Sequence, residues 1–136
     1  MSTPPRGSRR ILALVVERNP VVQALERFLL EQAGYAVEFI ADGSLALARA
    51  RELQPAMLIT EILVLKMDGL TLCRTLKAAA ETRDIPVLVF SHLEAEERAL
   101  EAGADAFLLK PLTEERLVQT LRKLLDKHRD SLRVKT

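Results

Sequence analysis

Five short apolar runs punctuate this chain, and the segments between them carry apolar residues at helical spacing. The runs are Ile11–Val16, Tyr35–Ala41, Met57–Ile59, Val87–Phe90 and Ala106–Leu109. Four are continuous, the pattern of strands covered on both faces; Tyr35–Ala41 alternates apolar with polar. Strand and helix therefore alternate five times, which implies a (βα)5 chain with a parallel sheet and helices on both faces. In one such doubly wound sheet the strand order is 2-1-3-4-5, and ligands meet the carboxyl ends of the strands beside strands 1 and 3.

The breaks between elements have their own chemistry. Asn19 can cap a helix that has Pro20 in its first turn. Val21, Leu25, Phe28 and Leu29 then recur at helical spacing, and Gly34 stops the run. Asp42-Gly43-Ser44 is a turn whose serine can cap a helix from Leu45 to about Leu53, closed by Pro55. A third helix, about Thr71 to Ala80, turns Leu72, Leu76 and Ala79 inward. A short acidic helix covers about Glu94 to Ala102 before Gly103. Thr113 caps the last helix, whose stripe is Leu117, Leu121, Leu124 and Leu125.

A chain of 136 residues, 49% hydrophobic, makes one domain with a core. We expect a disordered leader over 1–9, the domain over 10–127 and a basic tail over 128–136. No apolar run reaches the ~18 residues of a membrane span, and no secretory h-region follows the N-terminus. The single cysteine, Cys73, fits a reducing cytoplasm and reads as core packing. The net charge of +1 divides into +3 over residues 1–10, +4 over 122–136 and about −6 between them. The basic ends read as solvated, and binding of nucleic acid through them is not expected. No G-x-G-x-x-G or Walker loop follows the first strand, so a nucleotide-binding enzyme is not expected either.

The strand ends deliver Glu17-Arg18, Asp42, Glu61, Ser91-His92 and Lys110-Pro111. Strands 1, 3, 4 and 5 so bring two carboxylates, a guanidinium, a hydroxyl and an ammonium toward one crevice. Together with Asn19-Pro20, Gly34-Tyr35, Asp42-Gly43, Met67-Asp68-Gly69-Leu70, Asp84-Ile85-Pro86 and Gly103-Ala104-Asp105-Ala106-Phe107-Leu108-Leu109-Lys110-Pro111, these residues resemble the receiver domain of bacterial two-component response regulators. The resemblance covers residues 10 to about 126 and implies a flavodoxin-like fold.

It further implies an aspartate at the end of strand 3 that takes a phosphoryl group from a histidine kinase, and an acidic pair after strand 1 that helps it hold Mg²⁺. A Ser/Thr, an aromatic and a Lys on strands 4 and 5 would respond to the phosphate. Ser91, Phe107 and Lys110 match. Glu61 falls on the phosphoacceptor, and Glu17 and Arg18 on the acidic pair. Leu65 stands where a proline is usual, and His92 where a small residue is usual. Pro111 completes the pocket neighbours.

These departures have physical weight. Glutamate moves the attacking oxygen by more than ~1 Å, a misplacement that can cost ~10²-fold in rate. Arg18 offers no oxygen to Mg²⁺. Glu17, Glu61, Arg18 and Lys110 sum to zero charge with no metal. We therefore expect Arg18, Lys110 or both to pair with Glu61, and no bound metal; Glu17 and Glu61 are the ligands if there is one. Glu61 either leaves an inert scaffold or mimics the phosphorylated state, with Ser91 turned toward it and Phe107 inward. The expected protein is a stand-alone, non-enzymatic pseudo-receiver that binds a kinase or downstream regulator, or a second copy, through the acidic helix, strand 5 and the last helix. The alternatives are a regulator still phosphorylated, on Asp68 for example, and a DNA-associated regulator.

Overall fold

The computed structural model describes residues 11–111 and 114–135, and the side chains of these save 114 and 127–135. The expected leader, the Thr113 cap and the side chains of the basic tail lie outside them. Ten elements alternate: β1 (Ile11–Val16), α1 (Pro20–Gln32), β2 (Tyr35–Ile40), α2 (Gly43–Leu53), β3 (Met57–Thr60), α3 (Gly69–Ala78), β4 (Val87–Ser91), α4 (Glu96–Glu101), β5 (Ala106–Leu109) and α5 (Glu114–Lys135). The five strands pair in parallel in the order β2-β1-β3-β4-β5.

Successive residues of each strand point to opposite faces, so each run feeds two cores. Leu14 and Val16 join Leu58, Val87 and Val89 beneath α2, α3 and α4. Ala13 and Val15 join Met57, Ile59, Leu88 and Phe90 beneath α1 and α5. That two-sided burial is why the runs are continuously apolar. Cys73 packs in the first core, as expected.

Asn19 caps α1 as expected: its Oδ1 accepts from the Val21 and Val22 N–H groups. Of the four apolar residues at helical spacing in α1, only Leu29 is buried. Val21, Leu25 and Phe28 are exposed, Val21 at 79%, and the helix instead buries Glu26, Leu29 and Leu30. The helix carries two apolar stripes, and docking on the sheet selects the one that contains a glutamate. Asp42, not Ser44, caps α2: its Oδ1 accepts from the Ser44 and Leu45 N–H groups, and the helix starts at Gly43. On α3, Ala79 ends the helix half-buried, while Leu72 and Leu76 are buried as expected. In α5, Leu117, Leu121 and Leu124 are buried, and Leu125 is partly so.

Candidate functional site

Register builds the site. Val16 pairs with Thr60, so Glu17 and Glu61 leave the sheet on neighbouring strands at the same level. Ser91 pairs with Leu109, and the Lys110 N–H donates to the Ser91 carbonyl at 2.8 Å, which sets Lys110 beside them. The loop after β3 folds back at once. The Gly69 N–H donates to the Ile62 carbonyl at 2.9 Å, and α3 begins against the backbone of Glu61. A Cβ on Gly69 would collide with the Glu61 carbonyl oxygen, so this close approach requires glycine.

Glu61 is buried, and both its oxygens are engaged. Oε1 accepts from the Ser91 hydroxyl and from the Ile62 N–H at 2.7 Å. Oε2 accepts from Lys110 Nζ at 3.0 Å and lies 3.3 Å from His92 Nδ1. Lys110 also donates to Glu17 Oε1 at 2.5 Å, and its ammonium lies 5.1 Å from the centre of the Phe90 ring. The lysine is 13% exposed and the two glutamates 4%, so this is a buried three-membered cluster in which each charge has a partner. Burial pushes the Glu61 carboxyl up, but hydrogen bonds from Ser91, Ile62 and Lys110 outweigh it and hold it below the ordinary carboxylate range. Burial pushes the Lys110 ammonium down, and its bonds to Glu17 and Glu61 outweigh that in turn and raise it.

Of the two expected cations, then, Lys110 pairs with Glu61. Arg18 is exposed on the crevice wall, and no described ion pair joins it to Glu17 or Glu61. The crevice has a volume of about 400 Å³; Asn19, Val22, Leu63 and His92 complete its lining with those four charged residues. Ser91 lies fully buried under Glu61, and its Oγ also accepts from the Leu93 N–H at 3.1 Å.

Two expected pocket neighbours do not line the crevice. Leu65 turns back to the second strand end, where its backbone bridges Asp42, and Leu63 takes its place at the crevice. Pro111 is exposed beyond it. Asp68 is exposed and caps α3: Oδ1 accepts from the Leu70 and Thr71 N–H groups and Oδ2 from the Thr71 hydroxyl. It does not line the crevice. Phe107 is half-buried against the α2–α4 core and lines a separate groove with Glu94, Glu96, Leu109 and Arg116.

The donor set does not suit Mg²⁺, which demands a near-octahedral shell of oxygens. The carboxylates at positions 17 and 61 share an ammonium, and position 18 brings a guanidinium. Among the described residues no group of three or more acidic, histidine or cysteine side chains is placed to hold a metal.

Sequence reasoning missed Glu26. It lies 2% exposed on the inner face of α1, its Oε1 without a hydrogen-bond partner. Burial, with the charges of Glu17 and Glu61 added, raises its carboxyl from 4.5 to about 8 against the pull of Lys110. Its one signal was position: it falls three residues before Leu29 and four before Leu30.

Residues 13–122 match the response regulator receiver domain family. The chain is 34% identical over 115 residues to the DNA-binding dual master transcriptional regulator RpaA of a Synechocystis strain, covering 82% of this chain and 48% of that protein. It is 32% identical over 115 residues to the polar-differentiation response regulator DivK of Brucella anthropi, covering 82% and 94%. The chain spans half or less of the length of several curated relatives it matches, RpaA among them, and nearly all of DivK. Its fold superposes on the receiver domain of sensor histidine kinase PA1611 from Pseudomonas aeruginosa, solved with magnesium in the active-site cleft. The TM-score is 0.80 at 26% identity, over 87% of this chain and 99% of that one.

Proposed function

The chain belongs to the response regulator receiver domain family of two-component signalling, and from that premise we propose that it is a pseudo-receiver: one that takes no phosphate at its third-strand carboxylate and holds no resident metal. It regulates by binding another protein. Receiver domains meet histidine kinases and downstream effectors, and such partners are the ones proposed here. Among the described residues no helix is long and apolar enough to cross a membrane.

The observation that carries this reading is the Lys110 ammonium seated between Glu17 Oε1 and Glu61 Oε2. Phosphoryl transfer to a carboxylate is positioning plus neutralisation of charge by metal and cations. Here the cation is already bonded to the would-be acceptor, and that acceptor's other oxygen is engaged by Ser91 and Ile62. Ser91 turned toward Glu61 is one of the two features expected of a phosphorylated-state mimic and favours a second reading of the output, while Phe107, the other, stays half-buried beside a surface groove. The hydroxyl that would answer a phosphate is drawn in permanently, so the domain presents one fixed face to its partner through α4, β5 and α5. Incubation with acetyl phosphate and Mg²⁺, followed by intact-mass measurement, tests the proposal. No alkali-labile phosphoryl adduct is expected; one on Glu61 refutes it. The double variant Arg18→Asp, Glu61→Asp is expected to gain that adduct.

A further inference from the structure

His92 touches the ion-pair cluster without belonging to it. Its Nδ1 lies 3.3 Å from Glu61 Oε2, its side chain is 58% exposed, and it lines the crevice together with Arg18. The hydrogen bond made by one ring nitrogen sets the state of the other. A carboxylate only accepts, so a bond here needs the hydrogen on Nδ1, and the neutral ring then has its lone pair on Nε2. Glu61 is itself fixed by Ser91, Ile62 and Lys110, so the ring is oriented from behind by a carboxylate that does not move. A carboxylate that orients a histidine in this way is the supporting half of many nucleophilic sites. Arg18 on the wall of the same crevice presents a guanidinium, whose planar fork suits phosphoryl oxygens.

We propose that His92 Nε2 is a phosphoryl-accepting nucleophile in this crevice, and that its donor class is an N-phosphoryl compound such as the phosphoimidazole of a partner protein. The proposal rests on the reading that Glu61 no longer accepts phosphate, and gives that carboxylate a positioning role in its place. In the step, the Nε2 lone pair attacks phosphorus and forms an N–P bond. The donor's N–P bond breaks, and its electron pair leaves on the donor nitrogen. The hydrogen on Nδ1 stays donated to Glu61 Oε2, so the positive charge gained by the ring sits beside a carboxylate. Arg18 meets the charge on the phosphoryl oxygens.

Phosphoramidate is the probe, since it transfers phosphoryl to imidazole and releases ammonia. The full chain and His92→Gln are incubated with it, weighed intact and fragmented. The expected result is one acid-labile, alkali-stable phosphoryl group on His92, lost in His92→Gln; the imidazole is largely exposed, so this variant is expected to fold. No adduct, or one that persists unchanged in His92→Gln, overturns the inference and leaves the pseudo-receiver reading standing. An alkali-labile adduct on Glu61 in place of one on His92 overturns both.

Discussion

Replacing Glu26 with leucine is expected to stabilise the domain, by an amount that grows with pH. Glu26 sits in the α1–α5 layer among Leu29, Leu30 and their neighbours, faced by the charges of Glu17, Lys110 and Glu61. Its carboxyl rises from 4.5 in the unfolded chain to about 8 in the folded one. Below 4.5 both states are protonated and ionisation imposes no penalty. As pH rises from there the unfolded chain releases its proton while the folded protein keeps it, so stability falls until pH passes about 8. At 1.36 kcal/mol per unit, the penalty at neutral pH is about 3 kcal/mol. Leucine is close in volume and removes that penalty, at a packing cost of less than ~1.5 kcal/mol. The net gain at neutral pH is then about 1.5–3 kcal/mol, a rise in Tm of roughly 5–15 °C for a chain of this size. Urea unfolding followed by circular dichroism, repeated between acid and mildly alkaline pH, measures it. A Glu26→Leu variant less stable than the parent at neutral pH, or a difference that does not change with pH, would refute the reasoning.

Lys110→Met leaves Glu17 and Glu61 facing each other without their shared cation, and is expected to cost about 3–5 kcal/mol of unfolding free energy, measured by urea titration at neutral pH. Glu61 has a folded carboxyl below its ordinary value of 4.5, so its contribution is in place above that pH and is lost as pH falls through the folded value; Glu61→Gln is expected to flatten the acid limb of a stability–pH curve. Gly69→Ala drives a methyl into the Glu61 carbonyl oxygen and the Ile62 backbone, and thermal melting should show a loss of ~1–3 kcal/mol. Val21→Ser and Leu25→Ser, on the exposed stripe of α1, are each expected to change stability by less than about 0.5 kcal/mol; a loss of several kcal/mol would place that stripe in the core.

What the sequence made legible was whatever depends on period and strand ends. Continuous apolar runs gave the two-sided sheet, and the ends of the first, third, fourth and fifth runs gave the crevice cluster. What it hid depends on which way a side chain reaches. Arg18 and Lys110 both end strands, and charge alone does not choose between them. The choice falls to Lys110, whose ammonium reaches both Glu17 and Glu61 beside the Phe90 ring, while Arg18 lies exposed on the crevice wall. Leu65 looked like a crevice neighbour until the backbone bridge to Asp42 turned it aside. Spacing did not single out the inner face of α1, because Val21, Leu25 and Phe28 satisfy helical spacing as well as the buried set does, and a glutamate in that set disguises it.

The lysine that joins Glu17 to Glu61 follows the last strand, 93 residues after the first of its partners and 49 after the second. A ribosome therefore releases two acids long before it releases the base that reconciles them. This end of the sheet is thus completed from the final third of the chain: the seam between the first and third strands is bridged by a residue that leaves the fifth.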